Sequence, residues 1–480
     1  MSMPEIYSTV FGVEEEMRLQ QVRVGAPAQD IDVDDLHDAL ALRQAVADSR
    51  ASGVLYTGAY GHFRRRSHTS TGDKEYVDGY NLERSTAECS TVRAAVNRAR
   101  GTEIAASQQA LALLAVRPDL EQILHFRHTG FFPADTVGTQ DNLFVPALAG
   151  DRRSDIEPRI TQLVTAFCLT RPYMAGAGDY TKGRLAFAQK MAGLSESRRL
   201  YATPIDLVMC LGARMEVREN DINLCEAAAM VRLGGVAMCS AIAQTPLLER
   251  FDGFINTALR GVQDLGWSNR YNLPVLLPDG HISPSGNEHI LWAADAHAKI
   301  ADVFASAEMR HSGGEQPKEL LELAKKMHRM AELMKAVIRQ KVSLEDFAHV
   351  SDWATKHLLS LEGVTPDEYG LTIISRDPNT SSAPLVERVG SGFTKRDAGH
   401  FEGTTTDSEI ERAYYEAPSD TRAALRSYVI QNFRTANAQW DHLLVFDDSG
   451  NPIELDFGDD PSVSRFTDEQ MSILYRAVRR

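Results

Sequence analysis

An apolar run from Ile6 to Val13 leads straight into three consecutive acids, Glu14-Glu15-Glu16. Read as a β-strand, this segment constrains the chain more than any other, because side chains alternate faces along a strand. Glu14 and Glu16 then share one face and Glu15 takes the other. A second acidic group lies at a turn. Glu75 to Asp78 and Ser85 to Thr91 read as strands around Gly79-Tyr80-Asn81, so Asp78 and Glu83 flank the turn and Glu88 sits on the second strand. Carboxylates at the ends of antiparallel strands are a common way to hold a hard cation such as Mg2+ through oxygen. Lys74, Arg214 and Arg218 are basic residues that could neutralise phosphates. Acids for a metal and bases for phosphates point toward nucleotide chemistry.

The remaining patterns mix strands and helices. Helical spacing is expected over Asp34–Ser49, Val92–Val116, Ile156–Leu169, Glu226–Thr245 and most of 249–361, with breaks near Pro274–Gly286 and Gly313–Pro317. Short strands are expected at Leu124–Phe126 and Leu143–Val145. Residues 52–74 are rich in Gly, Ser, Thr, Tyr and Arg and read as a long loop. It contains the densest basic run, His62-Phe63-Arg64-Arg65-Arg66-Ser67-His68, which either is solvated or meets an acidic substrate. A polar, breaker-rich stretch from Asp377 to Gly403 precedes a tail with the pattern helix, helix, strand, helix. The domain boundary is therefore expected near residue 400, giving domains 1–400 and 401–480.

A net charge of −15 argues against general nucleic-acid binding and against adhesion to anionic membranes. Hydrophobic residues make up 43%, enough for a buried core rather than a disordered chain. No uninterrupted apolar run approaches the roughly 18–20 residues of a membrane helix. Met1-Ser2-Met3-Pro4-Glu5-Ile6 lacks the basic start and apolar run of a signal peptide. Five cysteines, an odd number with no C-x-x-C pair, suit free thiols in a reducing compartment. A cytoplasmic location is the expectation.

Familiar nucleotide motifs are missing. Gly176-Ala177-Gly178-Asp179-Tyr180-Thr181-Lys182 lacks the Gly-Lys-Ser/Thr ending of a P-loop and reads better as a helix-to-strand turn. Glu288, His289 and His297 lack zinc-protease spacing and read as a helix surface.

Phe11-Gly12-Val13-Glu14-Glu15-Glu16 resembles the F-G-[IV]-E-x-E opening of the Pup ligase family, which includes the depupylase (Pup deamidase). Tyr76-Val77-Asp78, followed by Leu82-Glu83-Arg84-Ser85-Thr86-Ala87-Glu88-Cys89, is similar to that family's second motif. Further likenesses follow in order at Gly138–Leu143, Thr170-Arg171 with Gly176–Gly178, Asp221–Glu226, Asp352–Lys356, Thr421-Arg422-Ala423 with Arg426, and Trp440. The resemblance runs from residue 11 to about 470.

The resemblance implies an α+β fold, a large antiparallel sheet backed by helices with a small C-terminal α/β domain, like glutamine synthetase and other carboxylate–amine ligases. It implies that Glu14 and Glu83 ligate Mg2+ with Tyr76 beside them. Glu16, on the Glu14 face, joins this metal set. It further implies that Lys74, Thr86 and Trp440 contact ATP and that Asp78 is the base. The activity implied is ATP- and Mg2+-dependent joining of a carboxylate to an amine through an acyl phosphate. The carboxylate would be a Pup glutamate or a small acid, and the amine a protein lysine or a small amine. The alternative is a depupylase-like amide hydrolase that uses nucleotide only as a cofactor.

Several positions depart from the family pattern. Lys74 stands where Arg is usual, which keeps the charge and loses the planar fork. Gln140-Asp141 replaces His-Glu. The N-T-R-D-E-P-H-A-D stretch is replaced by Tyr201–Leu207, and L-D-L-x-Y-x-D by Tyr369–Ile374. The metal and nucleotide side is retained and the substrate side is altered, so the reaction class is a firmer expectation than the Pup tag.

Overall fold

The computed structural model describes residues 10–23, 25–31, 54–56, 66–69, 71–78, 81–126, 138–181, 184–187, 207–220, 222–260, 287–309, 314–361, 369–376, 405–433, 435–436 and 440–479. The chain divides into two compact units that interleave along it. A sheet unit comprises Val10–Phe126, Thr372–Ala383 and Thr405–Arg480. A helical unit comprises Met1–Thr9, Arg127–Leu371 and Pro384–Thr404.

The sheet unit is organised by β1 (Val10–Arg23). Val13, Met17 and Leu19 of β1 are buried, while Glu14 and Glu16 are half-buried on the alternate face. The edge of β1 pairs with β2 (Gln29–Asp30). Four shorter strands follow: β3 (Val54–Tyr56), β4 (Arg66–His68), β5 (Lys74–Asp78) and β6 (Asn81–Ser85). They assemble antiparallel in the order β1-β6-β5-β4-β3.

Helix α1 (Val92–Arg100) is capped by Thr91, whose hydroxyl accepts the Ala94 N–H. Gly101 separates it from α2 (Thr102–Val116). Ala106, Ala110, Leu113 and Leu114 of α2 recur at helical spacing and form one buried cluster with Met17, Leu19, Val77 and Leu82. Strand β7 (Leu120–Phe126) pairs with the second half of β1 and adds Ile123 to that cluster. One sheet face is thus packed against helix, and Glu14 and Glu16 lie on the other.

The helical unit contains the antiparallel strands β8 (Thr139–Phe144), β11 (Val208–Leu211) and β12 (Arg214–Asn220), and a separate pair, β9 (Asp179–Thr181) and β10 (Arg184–Ala186). Its helices are α3 (Arg153–Thr170), α4 (Pro172–Ala175), α5 (Glu226–Ala243), α6 (Asn287–Ala305), α7 (Glu315–Ile338), α8 (Leu344–Ala348) and α9 (Asp352–Leu361). Helix α5 is long and apolar enough to cross a membrane by composition, yet all of its residues are buried in protein. It is a core helix. A Cβ on Gly235 would lie 2.1 Å from Cζ of Phe167 on α3, so glycine permits this close approach.

Strand β13 (Leu371–Ser375) pairs with β7 and contributes Ile374 to the sheet-unit core. The tail adds α10 (Asp407–Tyr415), α11 (Arg422–Asn432), an antiparallel sheet of β14 (Thr435–Ala436), β15 (His442–Phe446) and β16 (Pro452–Asp456), and α12 (Asp468–Arg476). Capping boxes start α10 at Thr406–Glu409 and α12 at Thr467–Gln470. Val429, Leu443, Val445, Leu455 and Leu474 give the tail a core cluster of its own. Thr405–Arg480 groups with Val10–Phe126, so the compact units do not follow chain order. A division at 400 stays our proposal for the domain bounds.

The elements differ from expectation in instructive places. The acids of β1 lie within a 14-residue strand and not at the end of a short one. The second hairpin strand is Asn81–Ser85; Thr86–Thr91 is not strand. Strands β3 and β4 lie inside the stretch read as loop, where cross-strand pairing overrides a breaker-rich composition. The expected helix over 34–49, most of the basic run at 62–68 and the boundary stretch 377–403 lie outside the described residues.

Candidate functional site

Two rows of side chains cross the Glu14 face of the sheet unit. The ladder places Glu14 opposite Ser85 and Ser85 opposite Lys74; two residues along, Glu16 faces Glu83 and Glu83 faces Tyr76. The Ser85 hydroxyl donates to Glu14 Oε1 at 2.6 Å, and the Tyr76 hydroxyl donates to the same oxygen at 3.3 Å. Burial raises the Tyr76 pKa well above its ordinary 10.0, and the charges of Glu14 and Glu83 raise it further. Tyr76 is therefore a neutral hydroxyl between two carboxylates. Asp78 closes β5 opposite Asn81. Its side chain lies outside the described residues.

Lys74, only 5% exposed, ends the first row with its ammonium 5.6 Å from the Trp440 ring centroid. The Arg426 guanidinium lies 4.9 Å from the same centroid and donates to the Trp440 carbonyl at 2.7 Å. Thr86 is buried; its hydroxyl accepts the Val13 N–H at 2.9 Å while its own N–H donates to the Val13 carbonyl. That residue anchors β1 directly beside Glu14.

Glu88 does not join the acidic rows. It binds Arg422 at 2.9 Å and Arg426 at 2.6 Å, which corrects its reading as one of the cation-binding carboxylates. Burial would raise the pKa of Glu88, but Arg426 and Arg422 outweigh it and hold the carboxyl below its usual range.

The sequence reading missed Asp73, Arg84 and Arg98. Arg84 donates to Asp73 at 2.5 Å and Arg98 donates to it at 2.9 Å, with all three side chains buried. The Ala87 N–H and the Thr71 hydroxyl also donate to Asp73. Arg84 further sits 3.7 Å from Glu75 and 4.8 Å from the Tyr414 ring centroid. Alternation was the available signal, because Arg84 must face away from Glu83 and Ser85.

Arg214 and Arg218 belong to the helical unit. Both bind the buried carboxylate of Glu216, Arg218 at 2.7 Å. Asp141 is a fully buried hub that accepts from Asn220 at 2.9 Å and pairs with Arg232 at 3.0 Å. Gly176–Gly178 forms the expected helix-to-strand turn, with Gly178 at φ +70°. Glu288 and His289 are exposed on α6, but His297 is fully buried beside Thr170 at 2.8 Å and stacked on Phe167. This corrects its placement on a helix surface. All five cysteines are free thiols, and burial pushes Cys89 up to about 12.

Among the described residues, no three His, Cys, Asp or Glu side chains form a ready-made metal cluster. The acidic rows nevertheless supply the donors Mg2+ prefers. Mg2+ keeps several waters and commonly needs only one or two protein carboxylates. Glu16 directly opposite Glu83, with Glu14 in the adjacent row, is a like-charge arrangement that a divalent cation relieves.

The architecture is an α+β body whose large antiparallel sheet is backed by helices, and it is the fold of PafA. One solved structure, the complex between the prokaryotic ubiquitin-like protein Pup and its ligase PafA, matches with TM-score 0.66 and 16% identity, covering 98% of this chain and 92% of that one. A second, the Pup ligase PafA in complex with ADP, matches with TM-score 0.61 and 16% identity, covering 95% and 96%. The family model described as Pup-ligase protein matches residues 212–444. No curated protein matches the chain. The family model thus matches part of this chain, and the two solved structures share its fold.

Proposed function

We propose that this chain is an ATP- and Mg2+-dependent ligase that joins a carboxylate to an amine through an acyl phosphate. The supporting observation is one sheet face that carries Glu14, Glu16, Glu83 and Tyr76 beside Lys74, with Trp440 against the Lys74 ammonium. ADP bound to the similar PafA supports a nucleotide on this fold.

In this reading Glu14, Glu16, Glu83 and the Tyr76 hydroxyl hold Mg2+, which supplies charge neutralisation to the nucleotide phosphates. Lys74, Thr86 and Trp440 receive ATP. Arg214 and Arg218, expected from the sequence to neutralise phosphates, both engage Glu216. A substrate carboxylate oxygen takes the terminal phosphoryl group and ADP leaves. The amine nitrogen then attacks the acyl carbon, Asp78 takes its proton, and inorganic phosphate departs. A positioned base of this kind contributes about 10²–10⁴-fold.

The carboxylate donor in this proposal is a Pup-like protein or a small acid, and the acceptor is a protein lysine or a small amine. The replaced segments at Tyr201–Leu207 and Tyr369–Ile374 keep the small-acid arm in the test. A cytoplasmic location is part of the same proposal, supported by the five free thiols.

The test is mass spectrometry of the protein incubated with Mg-ATP, hydroxylamine and Pup ending in glutamate. A Pup hydroxamate with stoichiometric ADP is the expected product. ATP binding without hydroxamate moves the donor to small carboxylates, screened in the same assay. Amide cleavage without ADP release overturns the ligase reading in favour of a depupylase-like hydrolase.

A further inference from the structure

Arg426 links the two groups assigned to the nucleotide. It is fully buried, yet none of its hydrogen bonds goes to the acidic rows. One guanidinium nitrogen donates to the Trp440 carbonyl at 2.7 Å. The other donates to the Gly72 carbonyl at 2.9 Å. Gly72 lies two residues before Lys74 and has φ +87°, a turn that presents its carbonyl and starts β5. A Cβ there would also lie 3.3 Å from the Ala423 carbonyl at the start of α11. The same guanidinium is 4.9 Å from the Trp440 ring centroid, and that ring faces the Lys74 ammonium. Arg426 therefore grips the chain on both sides of the Lys74–Trp440 contact.

Glu88 fixes the guanidinium in that pose. Both of its oxygens accept from Arg426, and Arg422 holds Oε1 at 2.9 Å while donating to the Gly458 carbonyl. A planar fork can satisfy the Glu88 carboxylate and two carbonyls at once; a lysine ammonium cannot reproduce that geometry.

We propose that Arg426 is a positioning residue that sets the spacing between Lys74 and Trp440, and that Glu88 locks it in place. The inference rests on the assignment of these two residues to ATP. It makes tail helix α11 responsible for the shape of a nucleotide site built on β5.

The experiment compares wild type, Arg426→Lys, Glu88→Gln, Trp440→Phe and the Arg426→Lys/Trp440→Phe double variant. Circular dichroism confirms that each is folded, and Glu88→Gln carries the test if Arg426→Lys does not fold. Two readouts are taken: the Trp440 fluorescence, as the difference from Trp440→Phe, and the Kd for Mg-ATP. Arg426→Lys is expected to alter the Trp440 emission and to weaken Mg-ATP by about tenfold. Glu88→Gln is expected to shift both readouts in the same direction. In the Trp440→Phe background, Arg426→Lys should add little further loss. Unchanged Trp440 emission in folded variants overturns the inference, as does an equal loss of affinity with and without Trp440. Absence of Mg-ATP binding in the wild type overturns the nucleotide assignment instead, and the emission then decides the Arg426 clamp by itself.

Discussion

Glu16 stands directly opposite Glu83 across the β1–β6 ladder. Like charges directly opposite each other destabilise a strand pair. Replacing Glu83 with Gln should therefore raise the melting temperature of chelator-treated protein slightly. With Mg2+ added, the wild type should gain stability and Glu83→Gln should gain less. A Mg2+ titration followed by scanning calorimetry reads both effects, and a wild type indifferent to Mg2+ contradicts the metal assignment.

Asp78→Asn separates catalysis from binding. Amide formation should fall by about 10²–10⁴-fold, the range for loss of a general base. The Kd for Mg-ATP should stay close to the wild-type value. Equal loss of nucleotide binding would reassign Asp78 to holding the turn or the metal.

Asp73→Asn should destabilise the sheet unit by about 3–5 kcal/mol, because it leaves Arg98 buried without its anion and Arg84 with Glu75 alone. The wild-type carboxyl has its own pH signature. Burial alone would raise the Asp73 pKa; Arg84, Arg98 and the Ala87 N–H outweigh it and hold the pKa below the ordinary 3.8. Its stabilising effect is present above that ordinary value and is lost as pH falls through the lowered one. Urea titrations at a series of acid pH values should show the wild type losing stability over that window and Asp73→Asn losing less.

His297 carries the opposite kind of shift. Burial, with the Arg171 charge adding, lowers it from 6.5 to about 3. Between those values the unfolded chain binds a proton that the folded chain excludes, so stability drops as pH falls through this window. The drop from neutral pH to near pH 5 should be about 2 kcal/mol from this group. His297→Gln should flatten that slope, as read by denaturant titration across the range.

What the sequence determined by itself is local. Alternation along one strand was enough to put Glu14 and Glu16 on a common face, since that depends only on the pleat. The tail helices were legible from their local pattern, and in the structure Thr406 with Glu409 and Thr467 with Gln470 cap two of them within a single turn. The resemblance of ordered motifs pointed to the fold for the same reason: each motif is contiguous.

Partnership across distance was decided only by the tertiary structure. Glu88 looked like one more carboxylate beside Glu83, yet Arg422 and Arg426, more than 330 residues away in sequence, claim it. Arg84 gave no sign that its anion was Asp73: alternation turns it away from the acidic rows, but which acid meets it there depends on packing. His297 lay on an amphipathic helix whose buried stripe was set by contact with Thr170 and Phe167. Strands β3 and β4 exist because each borrows hydrogen bonds from a neighbour, a stabilisation that composition does not encode. Side-chain direction follows from the backbone a few residues at a time; which charge meets which depends on how distant segments pack.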